Sequence, residues 1–571
     1  FETIRIRLPE KLPAGRATLS LEFAGKLRPD LRGFYASTSG KRKYGFTQLE
    51  APDARRFFPC FDEPAMKARF QISVTTATGH TVLSNSPVAK VEPLGGGRKR
   101  VHFRPTPPLS SYLLALAVGE LEASQPTHCG ETEIRVWHVP GKGALTAFAL
   151  ETARETLARL ETYFDLAYPY QKLDLVAVPD FEAGAMENAG AVFFRETLLL
   201  VDPETVTLQE KKRVAEVICH ELAHMWYGDL VTMAWWNDLW LNEAFATWMA
   251  FHVVDAWKPE WRMWQDFQHH RSAALGMDAL RHSHPIYTEV RSPDEATQNF
   301  DLITYEKGAS VVRMLERYLG AEIFRAGVRT YLRRHRESNT VAADLWRALS
   351  EVSDQEVEPI VRAWIEQQGF PLLRIRRVEK EGQTLLRFRQ ERFEASPTSR
   401  NAAKRSSARK EQPSRWPIPW VGRVARAGRR GTGTERHLIR RVRDELALAG
   451  EPIRFVYGNA DEGGFFRPLH DPEELRVLAE EREALSAVES MGLLTHQWAI
   501  VRAGRAKLGA FLDLAVAFGE EMDPDVLMTL RTPLGFIRRH VAAPLGEETE
   551  GALMHRIVEE FGDAFATLGW D

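Results

Sequence analysis

VICHELAHMWYGDLVTMAWWNDLWLNEAFATW, Val217 to Trp248, is the stretch on which the reading of this chain turns. On a helix His220 and His224 lie one turn apart, so both imidazoles leave the same face and can hold two corners of a tetrahedral metal site. The preceding residues favour that helix. Thr207 and Glu210 have capping-box spacing, and Val214, Val217, Ile218, Leu222 and Met225 recur on one apolar stripe. A second helical run, expected from about Asn237 to Val254, carries Glu243, with eighteen residues between it and His224. That is enough chain for a turn and an antiparallel return, which would bring a carboxylate to the third corner. Two nitrogens and one oxygen suit a single Zn2+ and leave a fourth position open for water, the mark of a catalytic rather than a structural site. Water held there would have a pKa near ~7. Glu221 is not needed as a ligand and can take the water's proton.

Composition sets outer bounds. A chain of 571 residues has room for three or four domains, and a formal net charge of -3 gives no overall bias toward nucleic acid or an anionic membrane. No apolar run approaches the ~18 residues of a membrane span. Cys60, Cys129 and Cys219 are too few and odd in number for a disulfide framework, which points to a reducing, cytoplasmic setting. Cys219 adjoins His220, but neighbouring helix positions point about 100° apart, so it reads as buried filler. Phe1 opens the chain without an initiator Met, and LGWD closes it inside a helical array. A fragment at both ends is therefore the expectation.

From Phe1 to about Ala123 the pattern alternates with period two, in ETIRIRLP, ATLSLEFAGKL, RFQISVTTA, RVHFRPT and YLLALAVGEL, predicting an all-β region. TQLEAPDARRFFPCFDEPAMKARF, Thr47 to Phe70, breaks the alternation and reads either as a binding or interface segment or as a plain surface loop. The pattern then becomes strand, helix, strand, with the helix over Leu145 to Phe164. In FEAGAMENAGAVFFRE, Phe181 to Glu196, Gly184 and Gly190 permit close approach of a backbone to a sheet edge, with Glu187 projecting between them, although pattern alone fits a turn with a solvated Glu as well. A helix is expected over Ile303 to Leu319 with Tyr305 near its start. Strands return as a hairpin over Leu372 to Phe393, turning near Lys380 to Gln383, and at Ile453 to Asn459. The Ser-, Arg- and Lys-rich stretch Ser396 to Arg415 reads as a solvated loop, since it lacks the aromatic interleaving of a nucleic-acid module. Asp471, Pro472 and Glu474 provide an N-cap, an N1 proline and an N3 acid, opening a helical region that runs to Asp571.

These residues resemble the gluzincin aminopeptidases of the aminopeptidase N and puromycin-sensitive type. The likeness is carried by TQLEAPDARRFFPCFDEP, GAMEN at Gly184 to Asn188, HELAH with Glu243, ITYEKGASVVRML, WIEQQGFPLL and GGFFRPLHD. It implies a multidomain α and β architecture: an N-terminal β saddle over 1–123, a thermolysin-like α/β catalytic domain over 124–369, a small β sandwich over 370–470, and a partial all-α C-terminal domain over 471–571. It implies one Zn2+ on His220, His224 and Glu243, with Glu221 as base. In the same way Glu187 becomes the carboxylate that takes a substrate's free α-amino group, within the binding segment Gly184, Ala185, Met186, Glu187 and Asn188. Glu50 assists from the first domain, Gln48 lines the first side-chain pocket, and Tyr305 stabilises the tetrahedral oxyanion. The implied activity is release of N-terminal residues from peptides, with no nucleic-acid partner and no membrane segment. Ala189 departs from the family, which commonly has an aromatic there, and the helical region is shorter than in relatives. Two other functions fit the same motifs: a bifunctional aminopeptidase and epoxide hydrolase, and a catalytically silent peptide-binding relative.

Overall fold

The computed structural model describes residues 3–380, 382–395, 415–428 and 431–569. The basic stretch Ser396 to Arg415 thus falls outside the described residues, Arg415 excepted. The chain divides into two compact units. One comprises Phe1–Asn242, Glu289–Asn299 and Arg329–Asp344; the other Glu243–Thr288, Phe300–Val328 and Leu345–Asp571. It is a mixed α/β chain, β-rich toward its N-terminus and helical toward its C-terminus.

In the first unit an antiparallel sheet orders Gly33–Ser39, Arg42–Gln48, Leu116–Gly119 and Thr81–Ser84. Residues 3–9 and 17–27 do not join it, contrary to the alternation in their sequence. Ile4, Ile6, Leu19, Leu21 and Phe23 are all exposed there, and the segments carry no strand ladder. Alternation makes a strand only where a neighbour completes its hydrogen bonds, and no described residue does so for these. The segment from Thr47 to Phe70 begins on the sheet, since Thr47 and Gln48 end the Arg42–Gln48 strand, and then proceeds through turns and the short helix Ala54–Arg56.

A second sheet of the first unit orders Ala185–Met186, Ala191–Arg195, Leu173–Val178, Thr132–His138 and Glu122–Ala123. Thr132–His138 and Leu173–Val178 are parallel, with Ile134 opposite Leu173. Their connection is the helix Ala147–Phe164, which buries Ala149, Ala153, Leu157, Leu160 and Phe164 on one stripe. Every residue of Leu173–Val178 is buried, as expected of a parallel strand covered on both faces. Asn85 ties the two sheets together. Its Nδ2 donates to the carbonyls of Leu113 (2.8 Å) and Ala189 (2.9 Å), while its Oδ1 accepts from the Ala115 N–H (2.9 Å). Gly190 is required beside it: φ is +73° and a Cβ would stand 2.5 Å from the Asn85 carbonyl oxygen.

The second unit contains a four-stranded sheet, Arg443–Leu448, Gln383–Arg392, Pro371–Lys380 and Arg467–His470, and a three-stranded one, Thr432–Ile439, Ile418–Arg426 and Ile453–Tyr457. Phe388 and Trp420 meet edge to face between them, ring centroids 5.1 Å apart. The hairpin turns between Lys380 and Gln383, as the sequence predicts. Helices from Pro472–Glu480 to Glu547–Thr567 follow, the first with Asp471 at its N-cap position but without a side-chain capping bond. A buried ionic group joins GGFFRPLHD to these helices. Glu462, fully buried, receives Arg271 Nη1 (2.7 Å), His496 Nε2 (2.8 Å) and the Tyr457 hydroxyl. Against the pull of burial, His496 and Arg271 hold its carboxyl down at about 2.

Asn85→Ala leaves three buried backbone groups without partners, so it is expected to lower the free energy of unfolding by about 2–4 kcal/mol. Urea denaturation followed by far-UV circular dichroism measures this.

Candidate metal and substrate site

The helix Leu208–His224 starts with a complete capping box. The Thr207 hydroxyl accepts the Glu210 N–H (3.2 Å), and the Glu210 carboxylate accepts the Thr207 N–H (2.8 Å). Its last turn presents His220 and His224 with their Nε2 atoms 3.0 Å apart. His224 Nδ1 lies 2.9 Å from the Tyr227 carbonyl oxygen. A carbonyl only accepts, so the proton sits on Nδ1 and the Nε2 lone pair faces His220 Nε2. At that distance the two nitrogens can share a proton or a cation.

The turn that supplies this carbonyl is itself held from elsewhere in the first unit. Lys67 Nζ donates to the carbonyls of Asp229 (2.8 Å) and Leu230 (3.2 Å), and the Tyr112 hydroxyl reaches the Gly228 carbonyl (3.4 Å). Gly228 has φ +127°, and a Cβ there would meet His224 Nδ1 at 3.0 Å. Burial pushes the Lys67 ammonium down to about 8. Asp229 is fully buried, and burial, then Glu187, drive its carboxyl well above the usual carboxylate range.

The helix Leu239–Trp257 is wrapped by protein along its first three turns, and Glu243 is its fifth residue. The short turn Trp236–Asp238 leads into it, anchored where Asn237 Oδ1 accepts the Val290 N–H (2.6 Å) and Trp235 Nε1 donates to the Val290 carbonyl (2.8 Å). His220, His224 and Glu243 bring one ligand atom each to within 4.8 Å of one another. Among the described residues this is the one such group of three. Two imidazole nitrogens and a carboxylate oxygen at that spacing fit a zinc ion. Glu221, between the two histidines, is buried. Cys219 is fully buried on another face, its thiol pushed far up by burial, which removes it from any nucleophilic role.

GAMEN forms the edge of the second sheet. Ala185 and Met186 pair with Phe194 and Phe193, and Arg195 N–H donates to the Gly184 carbonyl (2.9 Å). The ladder then stops, so Glu187 and Asn188 leave the sheet. They are nonetheless 3 % and 1 % exposed, so neither is a solvated turn residue. Gln48, at the end of its strand, points Nε2 at Met186 Sδ (3.5 Å), which joins the TQLE segment to GAMEN. Glu50 is half-buried. Among the described residues Gln48 Oε1 and Asn188 Nδ2 are buried without a hydrogen-bond partner. One is an acceptor and the other a donor, as a bound polar molecule would require.

Within the second unit Tyr305 lies in a π-turn, Ile303–Lys307, ahead of the helix Gly308–Leu319; the sequence predicts one unbroken helix instead. Lys307 accounts for the wider turn. Its ammonium is fully buried against Asp278 (2.8 Å) and also donates to the Gly369 carbonyl (3.2 Å), which pulls the segment inward. Gly308 packs on Ala244, where a Cβ would lie 2.5 Å from the alanine Cβ. The turn bearing Tyr305 therefore abuts the helix next to Glu243.

Sequence reasoning passed over Lys67, Tyr112, Gly228, Asp229 and Asn85. Only Gly228 had a local signal, as a glycine soon after the second histidine of HELAH.

Two family descriptions match the chain: the peptidase family M1 domain over residues 148–364 and the peptidase M1 N-terminal domain over residues 2–113. Aminopeptidase M1-A of Oryza sativa subsp. japonica is 37 % identical over 100 % of this chain and 64 % of its own length. Puromycin-sensitive aminopeptidase of Caenorhabditis elegans is 36 % identical over 99 % of this chain and 60 % of its own. A probable aminopeptidase 2 of Sulfurisphaera tokodaii is 37 % identical over 91 % and 63 %. The chain thus spans less than two thirds of the length of these relatives.

Gly228→Ala crowds His224 Nδ1 and is expected to weaken zinc binding about 10- to 100-fold, as loss of an outer-shell contact to a ligand imidazole does. Competition with a fluorescent chelator measures it; unchanged zinc affinity would remove the turn from the metal site.

Proposed function

The chain belongs to the peptidase M1 family, and on that premise we propose that it is a zinc aminopeptidase, releasing N-terminal residues from peptides. The observation that carries this reading is the meeting of His220, His224 and Glu243 around one point while the buried Glu187 sits on a sheet edge nearby in sequence and within the same unit as the histidines. The domain division expected from the resemblance accompanies the proposal: a saddle over 1–123, a thermolysin-like domain over 124–369, a sandwich over 370–470 and the start of a helical domain over 471–571.

His220, His224 and Glu243 are the residues that would hold zinc, which supplies a Lewis acid for a peptide carbonyl and makes water a better acid. Glu187, with Glu50, grips the substrate's ammonium. A carboxylate this deeply enclosed discriminates strongly, because a charge taken from water is tolerated only with a partner. Gln48 and Asn188 offer the remaining acceptor and donor to the first residue and its carbonyl. Glu221 accepts the proton of the attacking water and returns it to the leaving amine. The Tyr305 hydroxyl donates to the oxygen on which charge develops. Pinning the ammonium one residue from the scissile bond restricts cleavage to the first peptide bond.

Aminoacyl amide reporters are expected to be hydrolysed and their N-acetylated forms to lose at least about 30-fold in kcat/KM, since breaking a desolvated charge pair costs about 2–5 kcal/mol. Equal turnover of blocked and free reporters would sink the exopeptidase assignment. Glu221→Gln should retain zinc, by atomic absorption, and lose at least about 100-fold in kcat, the usual share of a general base.

A further inference from the structure

The hairpin of the second unit carries an arrangement the peptidase reading does not use. Along Pro371–Lys380, Leu373 and Ile375 point inward and Arg374 and Arg376 outward; along Gln383–Arg392, Leu386 and Phe388 point inward and Arg387 and Arg389 outward. The antiparallel register sets Arg374 directly opposite Arg389 and Arg376 opposite Arg387, and on the next strand Arg443 stands opposite Arg389. With Arg441 these arginines line a cleft of about 570 Å³ on the outer face of the sheet, which Asp444 and Glu445 also line.

Like charges directly opposite one another in a sheet are destabilising. Here two strand pairs place arginine against arginine, and the neutralising groups are few. Arg387 has Glu445 (2.8 Å) and Arg376 has Asp471 (3.4 Å). Among the described residues Arg374, Arg389, Arg441 and Arg443 have no ion-pair partner. In a chain of net charge -3 the cluster is a local feature and not an overflow of basic composition.

We infer that this sheet face is a binding site for a compact soluble polyphosphate. Arginine forks match phosphate oxygens two at a time, which lysine cannot do. Strand spacing of ~4.8 Å and a same-face repeat of ~6.8 Å confine the guanidinium groups to about a square nanometre, so the anion must carry several charges in a small volume. The cleft has the size of a small-molecule site. Its one apolar lining residue, Phe388, is 2 % exposed and engaged with Trp420, so the cleft offers no aromatic platform for a base and no anchor for a peptide side chain. A concave face without exposed apolar side chains also has nothing to insert into a lipid surface.

The test is calorimetric titration of the whole chain with inorganic tripolyphosphate in 0.15 M salt, roughly the ionic strength at which surface charge is screened beyond ~8 Å. One site is expected. Arg374→Gln/Arg389→Gln/Arg443→Gln should weaken it at least about 30-fold, since it removes three charge-assisted contacts. The triple variant should melt at the same temperature or higher, because repulsion between opposed arginines is relieved. Arg389→Lys, which keeps the charge and loses the fork, should weaken binding about 3- to 10-fold. Absence of saturable heat, equal affinity in the folded triple variant, or equal affinity in Arg389→Lys overturns the proposal. So does tighter binding of hexaglutamate or of phosphatidylserine vesicles than of tripolyphosphate, the first indicating an acidic protein segment and the second a membrane.

Discussion

Two imidazole nitrogens held 3.0 Å apart are the constraint to which the first unit answers. Each neighbour of His224 has its position fixed by another part of the fold. The Tyr227 carbonyl sets the tautomer, Gly228 gives the ring room, and Lys67 and Tyr112 hold the turn that supplies both. Lys67 and Tyr112 come from the β-rich N-terminal part of the chain. The β framework therefore takes part in shaping the surroundings of His224 and is not merely a platform beside them.

The same unit arranges carboxylates by burial. Glu187 lies where the Ala185–Met186 edge strand ends, beyond the last ladder bond, so its backbone is free to turn while its side chain stays enclosed. Asn85 holds the Ala189 carbonyl directly after this segment and the Leu113–Ala115 backbone of the other sheet at once. Asp229 is fully buried, and burial and then Glu187 push its carboxyl well above the usual range. The surroundings of the histidines are thus rich in acids that a bound cation or ammonium would compensate.

Membership of the peptidase M1 family and the placement of the motif residues agree, although neither alone yields a substrate. The chain spans 64 % and 60 % of the length of two of these relatives. Ala189 is small and fully buried, fitted under Asn85, and the sheet face bearing Arg374, Arg389 and Arg443 concentrates positive charge away from any motif.

Local sequence determined what depends on near neighbours. Helical spacing sets His220 and His224 on one face, the Thr207 and Glu210 pair starts that helix, the βαβ pattern yields parallel strands, and the hairpin turn follows from strand periodicity. Tertiary structure decided what depends on distant partners. The Trp236–Asp238 turn that leads into the helix of Glu243 is pinned to Val290, and the π-turn that carries Tyr305 holds the Lys307 ammonium buried against Asp278. Residues 3–27 show the converse: their alternation is that of strands, yet no described segment offers the backbone donors and acceptors that a ladder needs. Spacing along the chain encodes direction within an element, whereas approach between elements is set by packing and by hydrogen bonds between residues tens of positions apart or more, which no local pattern records.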